Sequence, residues 1–443
     1  MGVLANLTTG ATRMYEVGSL LKLAYDRSGL FPIAKCHIGP DAAPEMGKFI
    51  RDKGLPRVMA VSDPHTRLAA MDPVLLALNA AGVQIQEFSF DDPHLDATME
   101  RAKDLAKACD SVDAIVGVGS GTVCDLAKQA GSDLKKPVVL FATAASMNGY
   151  TSGITAVKLR GLKRTIPCTP ALAVFADPDI VCKAPPRMAA SGLADYLSKC
   201  SAGADWRTAH MLRDEYYDEK ALQFYEGILQ ETLDSAAAIG QGDAQAIGVL
   251  LEALILSGLS MLVAGSSAPA SGGEHLISHY IDMKSALYGS THDLHGVQVG
   301  VATLHCLRLW ERICELDPAS LDAKTLAASQ PSMDQVKQWA FDDWGEAVGQ
   351  EVIKQWSEKA RSTEDIEIEI ARFASSHAAI RESVSRDLLS STLVEQAIRD
   401  AGGPVTPEDT AMPLNEYQNA LSRARYIRNR FTVLDLAAEL GLS

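Results

Sequence analysis

The chain has 443 residues, of which 47% are hydrophobic and 22% are charged, so it is long enough for two domains and has a globular rather than a disordered composition. Its 41 basic and 56 acidic residues give a net charge of −15, which argues against nucleic acid or an anionic membrane as a partner. An anionic substrate therefore needs a local cationic cluster, a metal or helix N-termini.

Short apolar strands alternate with helical stretches over the first 180 residues. The predicted strands are 57–62, 83–90, 112–119, 137–143 and 172–177. Helices are predicted between them at 66–81, at about 95–109 and, after a glycine-rich turn, through Ala130. This alternation is typical of a parallel sheet that is covered on both faces. We therefore predict an α/β domain over residues 1–184.

The strand pattern gives way to long helical periodicities from about residue 185. Helices are predicted at 188–209, 212–238, 243–264, 270–284 and 295–316, with more towards the C-terminus. Pro185 and Pro186 are the predicted hinge, so residues 185–443 form the predicted all-α domain.

No membrane or export signal is expected. The first 18 residues lack the basic and apolar regions of a signal peptide, and Asn6 breaks the myristoylation pattern. The most apolar run, 246–264, contains Glu252 and is predicted to be a buried helix without membrane insertion. The eight cysteines form no CxxC pair, which favours free thiols in a reducing cytosol. We expect a cytoplasmic protein.

The stretch GVGSGTVCDLAK, residues 117–128, stands where a strand is expected to turn into a helix. Glycines let the backbone approach a pyrophosphate closely, and the helix N-terminus offers free N–H groups. Ser120 and Thr122 add hydroxyl donors, and Asp125 is expected in the first helical turn. Because the string is not GxGxxG, an ordinary tight turn is the alternative.

Asp63 ends the predicted strand 57–62 and precedes the glycine-rich stretch by more than 50 residues. In the usual dinucleotide fold the acid follows the glycine loop by about 20 residues. Asp63 is therefore either a ligand of the adenosine ribose or a turn residue at a strand end.

A carboxylate and two imidazoles, on Asp195, His275 and His295, suit one divalent metal with a position left open for substrate. A helical histidine such as His275 or His279 is more often a core or interface residue. Their i, i+4 spacing, however, puts both on one helix face, where one can bind metal and the other can meet the substrate.

Five motifs, in the same order, resemble those of the sn-glycerol-1-phosphate dehydrogenases, especially the longer bacterial type. They are GVGSGTVCDLAK (117–128), ATAASMNGYTSGIT (142–155), GLADYLSKCSAGADW (192–206), SGGEHLISHYIDM (271–283) and LHGVQVGVATL (294–304). These enzymes belong to the superfamily of dehydroquinate synthase, glycerol dehydrogenase and iron-containing alcohol dehydrogenases. The resemblance implies a Rossmann-like N-terminal domain that binds NAD, or else NADP. It also implies a helical C-terminal domain, an active site in the cleft between the two, and one zinc, nickel or iron ion.

The resemblance also assigns residues. The implied metal ligands are Asp195, His275 and His295. The implied catalytic residues are Asp195 and His279, and both are also implied to bind substrate, together with Asn148. The implied nucleotide-binding residues all lie in the first domain and are Asp63, Gly119, Ser120, Gly121, Thr122, Val123, Thr143, Ala144, Ala145, Ser146 and Ser152.

Asn148 departs from the family, whose substrate motif reads Ser-Met-Asp-Gly. The amide is nearly isosteric with the carboxylate, but it is neutral and can donate hydrogen bonds. Lys158, Lys163 and Arg164 are candidate cations for a substrate phosphate, or else part of a solvated loop. The fold and cofactor are therefore expected to transfer, whereas the substrate stays open.

Three function classes follow. The first interconverts dihydroxyacetone phosphate and sn-glycerol 1-phosphate. The second acts on another small polyol or keto-sugar, which Asn148 favours; a dehydroquinate synthase-like cyclase fits less well, because Asp195 stands where that branch has glutamate. The third is a non-catalytic binding protein. The presence of all three implied metal ligands and of the glycine loop argues against this class. We also expect a homo-oligomer, namely a dimer.

Overall fold

The computed structural model describes residues 7–9, 12–15, 33–159 and 162–442. Its strands are β1 (Leu7–Thr9), β2 (Thr12–Tyr15), β3 (Lys35–Ile38), β4 (Arg57–Ser62), β5 (Gln84–Ser89), β6 (Ala114–Gly119), β7 (Val138–Ala142), β8 (Ile154–Leu159), β9 (Leu162–Pro167) and β10 (Ala173–Ala176). Most of the first 18 residues, on which the predicted absence of a signal peptide depends, lie outside the described part.

Eight of the strands form one sheet in the order β1-β2-β3-β10-β7-β6-β4-β5. The run from β3 to β5 is parallel throughout, and the hairpin of β1 and β2 adds antiparallel strands at the β3 edge. Every residue of β6, β7 and β10 is buried, as expected for strands covered on both faces.

Helices cover both faces of this sheet. On one face, Val116 of β6 and Phe141 of β7 share a core with the helices Ala42–Asp52 and Asp72–Ala80. On the other, a Cβ on Gly117 would lie 3.0 Å from Ala127, in the helix Gly121–Leu134. A continuous helical stretch from Pro64 to Ala80 and the helix Met99–Ala108 complete the alternation.

Beyond Ala176 the described chain is built of helices. They are Pro178–Val181, Pro186–Leu197, Lys199–Arg213, Glu219–Glu226, Leu229–Asp234, Ala236–Gly240, Ala244–Ala264, Gly273–Tyr288, His295–Glu315, Ala323–Ala328, Met333–Ser357, Thr363–Val384, Ser391–Asp400, Leu414–Arg423 and Val433–Glu439, together with short 3₁₀ turns.

The fold class is confirmed, and each of the five predicted strands is present. Three details of the prediction were wrong. The helix predicted at 188–209 is two helices that meet at Ser198, and the one predicted at 212–238 is three short helices. Strands β1, β2 and β3 and the hairpin of β8 and β9 were missed.

The missed hairpin carries the three residues proposed as phosphate cations. Lys158 lies on β8, where its Nζ is 2.7 Å from Asp96 Oδ2, so this cation already has an acidic partner. Lys163 and Arg164 lie on β9, and their side chains are outside the described part of the structure.

Contacts divide the chain into two compact units. The first comprises Met1–Tyr196, Gln223–Ser266 and Asp400–Gly403, and it contains the sheet. The second comprises Leu197–Leu222, Ser267–Arg399 and Pro404–Ser443, with a helical core around Trp310 and Phe373. The boundary between residues 184 and 185 stays a prediction.

One helix in the described chain, Ala244–Ala264, is long and apolar enough to cross a membrane by length and composition. Its most apolar window is entirely buried inside the protein, and Glu252 within it is only 4% exposed. The predicted buried helix is thereby confirmed.

Candidate nucleotide and metal site

Three segments that the resemblance assigns to the nucleotide leave the carboxyl ends of neighbouring strands. Asp63 follows β4, Gly119–Val123 spans the end of β6, and Thr143 follows β7. The order β7-β6-β4 makes these strands direct neighbours. The chain leaves β4 towards β5 on one side and β6 towards β7 on the other, and such a reversal point is where ligands bind in open α/β sheets.

Gly119 and Gly121, at the end of β6 and the start of the next helix, have different reasons to be glycine. A Cβ on Gly119 would lie 2.5 Å from Val123 Cβ, so Gly119 is required by the contact between strand and helix. A Cβ on Gly121 would meet nothing closer than Met147 Cγ at 3.8 Å. Nothing described in the protein therefore excludes a side chain at Gly121, whereas a ligand that approaches this helix N-terminus would.

The loop after β7 is tied to the β6 loop. Thr143 N donates to Gly119 O at 3.1 Å, and the hydroxyls of Ser120 and Ser146 are 2.6 Å apart. Tyr150, fully buried, donates its phenol hydrogen to Ala144 O, and burial raises the pKa of this phenol. The two loops thus form one connected polar edge, and the predictions missed Tyr150 as part of it.

Lys128 was also missed, although it ends the glycine-rich motif. The side chain is 0% exposed, and its Nζ donates at 2.7 Å to both Gly149 O and Ile154 O. It also lies 3.2 Å from Ser152 Oγ. Ser152, assigned to the nucleotide, is therefore buried and held by a buried cation.

Asp125 and Asp63 both hold backbone groups. Asp125 lies beyond the first turn of its helix, contrary to the prediction, and its Oδ2 accepts from Ala156 N at 3.1 Å, which ties the helix to β8. Asp63 caps the next helix, where its Oδ1 accepts from Thr66 N at 2.8 Å. Capping uses the Oδ1 atom of Asp63 and does not require Oδ2. Binding of the adenosine ribose by Asp63 therefore stays a prediction.

Asn148 lies between two helices of the first unit. Its backbone N–H donates to Asp195 Oδ2 at 3.2 Å, and its Nδ2 donates to Ser257 Oγ at 3.4 Å. Gly258 permits this contact, because a Cβ there would lie 2.7 Å from Asn148 O. The residue that departs from the family is therefore in direct contact with a predicted metal ligand.

Asp195 lies near the end of the helix Pro186–Leu197 and is 0% exposed. Gly192 brings this helix against the β7 loop, since a Cβ on it would lie only 2.0 Å from Ala145 O. Any larger residue at position 192 would displace the helix that carries Asp195.

The three predicted histidines of the second unit lie together. His275 and His279 are one turn apart on the helix Gly273–Tyr288, and His295 is the first residue of the helix His295–Glu315. The ring centroids are 5.2 Å apart for His275 and His295, and 6.0 Å for His279 and His295.

Two carboxylates support the helix that carries His275. Asp205 Oδ2 accepts from Gly273 N at 2.8 Å, and Glu274 Oε1 accepts from Gly272 N at 2.6 Å and contacts His275 Nδ1 at 2.9 Å. Burial and the charge of Glu274 raise the pKa of Asp205. Burial also opposes ionisation of Glu274, but the hydrogen bond and charge of His275 prevail and lower its pKa.

One ligand atom from each of Asp195, His275 and His295 lies within 4.8 Å of the other two. Asp195 and His275 are buried, and His295 is partly buried. One carboxylate oxygen and two imidazole nitrogens suit zinc, nickel or iron(II), and three protein ligands leave a position open. The donor set therefore fits a catalytic divalent cation, and His279 stands beside it, outside the group of three.

The sequence profile of the iron-containing alcohol dehydrogenases matches residues 37–185. A solved 1,3-propanediol oxidoreductase has a TM-score of 0.58 at 16% identity, with 91% of this chain and 96% of that chain covered. For the NADH-dependent butanol dehydrogenase A of Thermotoga maritima, the TM-score is 0.56 at 15% identity, with 91% and 95% covered. The chain thus has the fold of the iron-containing alcohol dehydrogenases.

Curated relatives narrow the class. The glycerol-1-phosphate dehydrogenase (NAD(P)+) of Geobacillus stearothermophilus is 28% identical over 417 residues, which are 92% of this chain and 93% of the relative. The enzyme of the same name from Methanothermobacter thermautotrophicus is 32% identical over 297 residues, 66% of this chain and 83% of the relative. The chain belongs to the glycerol-1-phosphate dehydrogenase family and is an oxidoreductase, which confirms the resemblance seen in its motifs.

Proposed function

We propose that this protein interconverts dihydroxyacetone phosphate and sn-glycerol 1-phosphate, with NAD(P) as the hydride carrier. The observation that carries the proposal is the convergence of Asp195, His275 and His295 to within 4.8 Å in a chain whose relatives bear this enzyme name. A non-catalytic role would not require this set of metal-binding donors in a chain that also has a glycine-rich loop.

The nucleotide is proposed to bind at the carboxyl ends of β4, β6 and β7. The N–H groups at the start of the helix Gly121–Leu134 and the hydroxyls of Ser120 and Thr122 would hold the pyrophosphate. Asp63 would accept hydrogen bonds from the adenosine ribose. Because a carboxylate repels a 2′-phosphate, we expect NAD to be preferred over NADP. If the wild type uses NAD and NADP equally well, and Asp63→Ala has the same cofactor preference, then Asp63 only caps its helix and does not bind the ribose.

Reduction needs a hydride at the carbonyl carbon and a proton at its oxygen. A divalent zinc, nickel or iron ion held by Asp195, His275 and His295 would supply Lewis acidity at that oxygen when bound. His279, beside the metal ligands, is proposed to supply the proton directly or through water. Asn148 is proposed to bind a substrate hydroxyl, since its neighbour Asp195 is one of the ligands. NADH supplies the hydride and leaves as NAD+.

The decisive experiment measures NADH oxidation by the purified, metal-loaded protein with dihydroxyacetone phosphate, and determines the configuration of the glycerol phosphate formed. Activity should disappear in His275→Ala and His295→Ala, whereas NADH binding should persist. His292→Ala is the matched control, because this exposed histidine contacts Ser285 at 2.8 Å and is outside the group of three. Full activity after exhaustive chelation, with no metal in the protein, would overturn the proposed metal site, whereas no detectable reduction of dihydroxyacetone phosphate would overturn the proposed reaction.

A second candidate is a dehydrogenase for another small polyol or keto-sugar. The amide at Asn148 favours it, because a neutral group can donate to a substrate oxygen that a carboxylate would repel. A panel of carbonyl substrates separates the two: turnover of unphosphorylated ketones with none of dihydroxyacetone phosphate would select the second. The cytoplasmic location and the dimeric state stay predictions.

A further inference from the structure

Glu274 is a buried carboxylate directly beside the predicted metal ligand His275. It is 0% exposed, and its Oε1 lies 2.9 Å from His275 Nδ1. The same oxygen accepts the Gly272 N–H at 2.6 Å. Its second oxygen, Oε2, is buried and has no hydrogen-bond partner among the described residues. A buried carboxylate with an unsatisfied oxygen is costly unless a nearby positive charge compensates it.

The arrangement fixes which ring nitrogen of His275 is available. An ionised carboxylate can only accept hydrogen bonds, so the contact with Glu274 requires the hydrogen of His275 on Nδ1. The lone pair is then on Nε2, which is the nitrogen left for a metal. A carboxylate behind a metal-binding imidazole orients the ring and raises its basicity.

One buried cation near Glu274, Arg430, has hydrogen-bond partners elsewhere. Arg430, the buried guanidinium whose charge Glu274 feels, donates to Ser271 O and, at 3.0 Å, to Ser267 Oγ. It therefore braces the turn before the helix Gly273–Tyr288 and makes no hydrogen bond to Glu274 among the described residues. Burial and the charge of Glu274 raise the pKa of Asp205, the other carboxylate at this helix end, so Asp205 does not compensate the charge of Glu274.

His295 is supported differently. Its Nδ1 lies 3.2 Å from Ser278 Oγ, which also accepts from Gln298 Nε2 at 3.0 Å. A neutral hydroxyl thus stands behind one imidazole and a carboxylate behind the other. This asymmetry provides an internal comparison between charged and uncharged support.

We propose that Glu274 is a positioning residue for the divalent cation. It holds His275 with Nε2 presented as the ligand atom, and its negative charge makes the buried site favour a dication. The inference rests on the metal site of the proposed function. Glu274 itself does not touch the metal, the nucleotide or the substrate.

The test compares zinc affinity in the wild type, Glu274→Gln and Ser278→Ala, by competition with a chromophoric chelator at one pH. Glutamine keeps an acceptor for the Nδ1 hydrogen and removes only the charge, so the variant should bind zinc about 10- to 100-fold more weakly. Ser278→Ala should show the smaller loss. Without metal, the midpoint of thermal unfolding of Glu274→Gln should change little, because the glutamine oxygen can still accept from Gly272 N and from the Nδ1 hydrogen of His275.

A purely structural role predicts the opposite pattern, with a lower unfolding temperature of the metal-free protein and unchanged zinc affinity, and that result would overturn the inference. If Glu274→Gln fails to fold, ¹⁵N-histidine spectra of the zinc-loaded wild type decide instead. Hydrogen on His275 Nδ1 supports the inference, whereas hydrogen on Nε2 overturns it. A wild type that binds no divalent metal would remove the proposed metal site itself, whereas wild-type binding with an equally tight Glu274→Gln removes only the role of Glu274.

Discussion

Replacing Gly121 with alanine tests the nucleotide loop most directly, because the surrounding protein leaves room for the new methyl group. The nearest described atom would be Met147 Cγ at 3.8 Å, an ordinary van der Waals distance. Gly121 is also the first residue of its helix, where alanine is at least as favourable as glycine. We expect the free energy of unfolding of Gly121→Ala to stay within about 0.5 kcal/mol of wild type or to rise slightly.

Nucleotide binding should nevertheless suffer. If the pyrophosphate approaches the helix N-terminus, the methyl group occupies the space that a phosphate oxygen needs to reach the backbone N–H groups. A hydrogen bond to a charged group contributes roughly 1.5–3 kcal/mol. Losing one should therefore raise the dissociation constant of NADH about 10- to 150-fold. Fluorescence titration with NADH, alongside urea unfolding of the same preparations, measures both quantities.

Gly119→Ala is the matched control two residues away. Its Cβ would lie 2.5 Å from Val123 Cβ and 2.9 Å from Val123 Cγ1, so strand and helix must separate. Overpacking of this kind typically costs about 1–3 kcal/mol of stability. Gly119→Ala should therefore lose stability, whereas Gly121→Ala should lose only affinity. Wild-type affinity for NADH in Gly121→Ala would refute the placement of the pyrophosphate.

Three further outcomes are expected. Asn148→Asp should keep or raise the efficiency with dihydroxyacetone phosphate, because the Ser257 hydroxyl can turn and donate to the new carboxylate; a loss of about 5- to 150-fold, the cost of an unsatisfied buried group, would indicate a changed substrate. Lys128→Met should lower the free energy of unfolding by about 2–5 kcal/mol in urea, since it leaves buried carbonyls within 149–154 without their donor. Burial lowers the pKa of His305 from 6.5 to about 4, so between these pH values the unfolded chain binds a proton that the folded protein does not. The free energy of unfolding should therefore fall as the pH drops from 6.5 to about 4. Urea titrations at several pH values should show a smaller fall for His305→Leu.

The strands of the first unit were predictable because each is a short apolar run, but their order in the sheet was not. Asp63 and the glycine loop are more than 50 residues apart in sequence, yet β4 and β6 pair directly, with Val61 opposite Gly117. The intervening strand β5 lies on the far side of β4. Which strands pair is determined by contacts between distant segments of the chain, and no local sequence pattern predicts it.

The missed hairpin had a readable signal. In β8, Thr155 and Val157 are buried while Ile154, Ala156 and Lys158 are partly exposed, which is the alternation of a half-buried strand. Its charged and polar members hid it among the apolar runs of the parallel sheet. The break at Ser198, in contrast, has neither glycine nor proline to mark it.

The proposed metal ligands were predicted from family motifs, whereas the residues that support them were not. Asp205 and Lys128 act on backbone groups far away in sequence, Gly273 N and Ile154 O respectively. Such partners exist only once the chain has folded, and a buried charge looks like any surface charge in the sequence. Only Glu274 was within reach, because it directly precedes a predicted metal ligand.

Asn148 shows why the role of one residue in a family can be assigned to this chain only when its surroundings in the folded protein are known. In sequence, the exchange of aspartate for asparagine removes a charge and suggests a different substrate. In the structure, the amide nitrogen is directed to Ser257 and the backbone N–H to Asp195, so Oδ1 is left to accept from a ligand, as a carboxylate oxygen would. The amide therefore presents at this position the same acceptor that Asn148→Asp would present, so the exchange by itself does not require a different substrate.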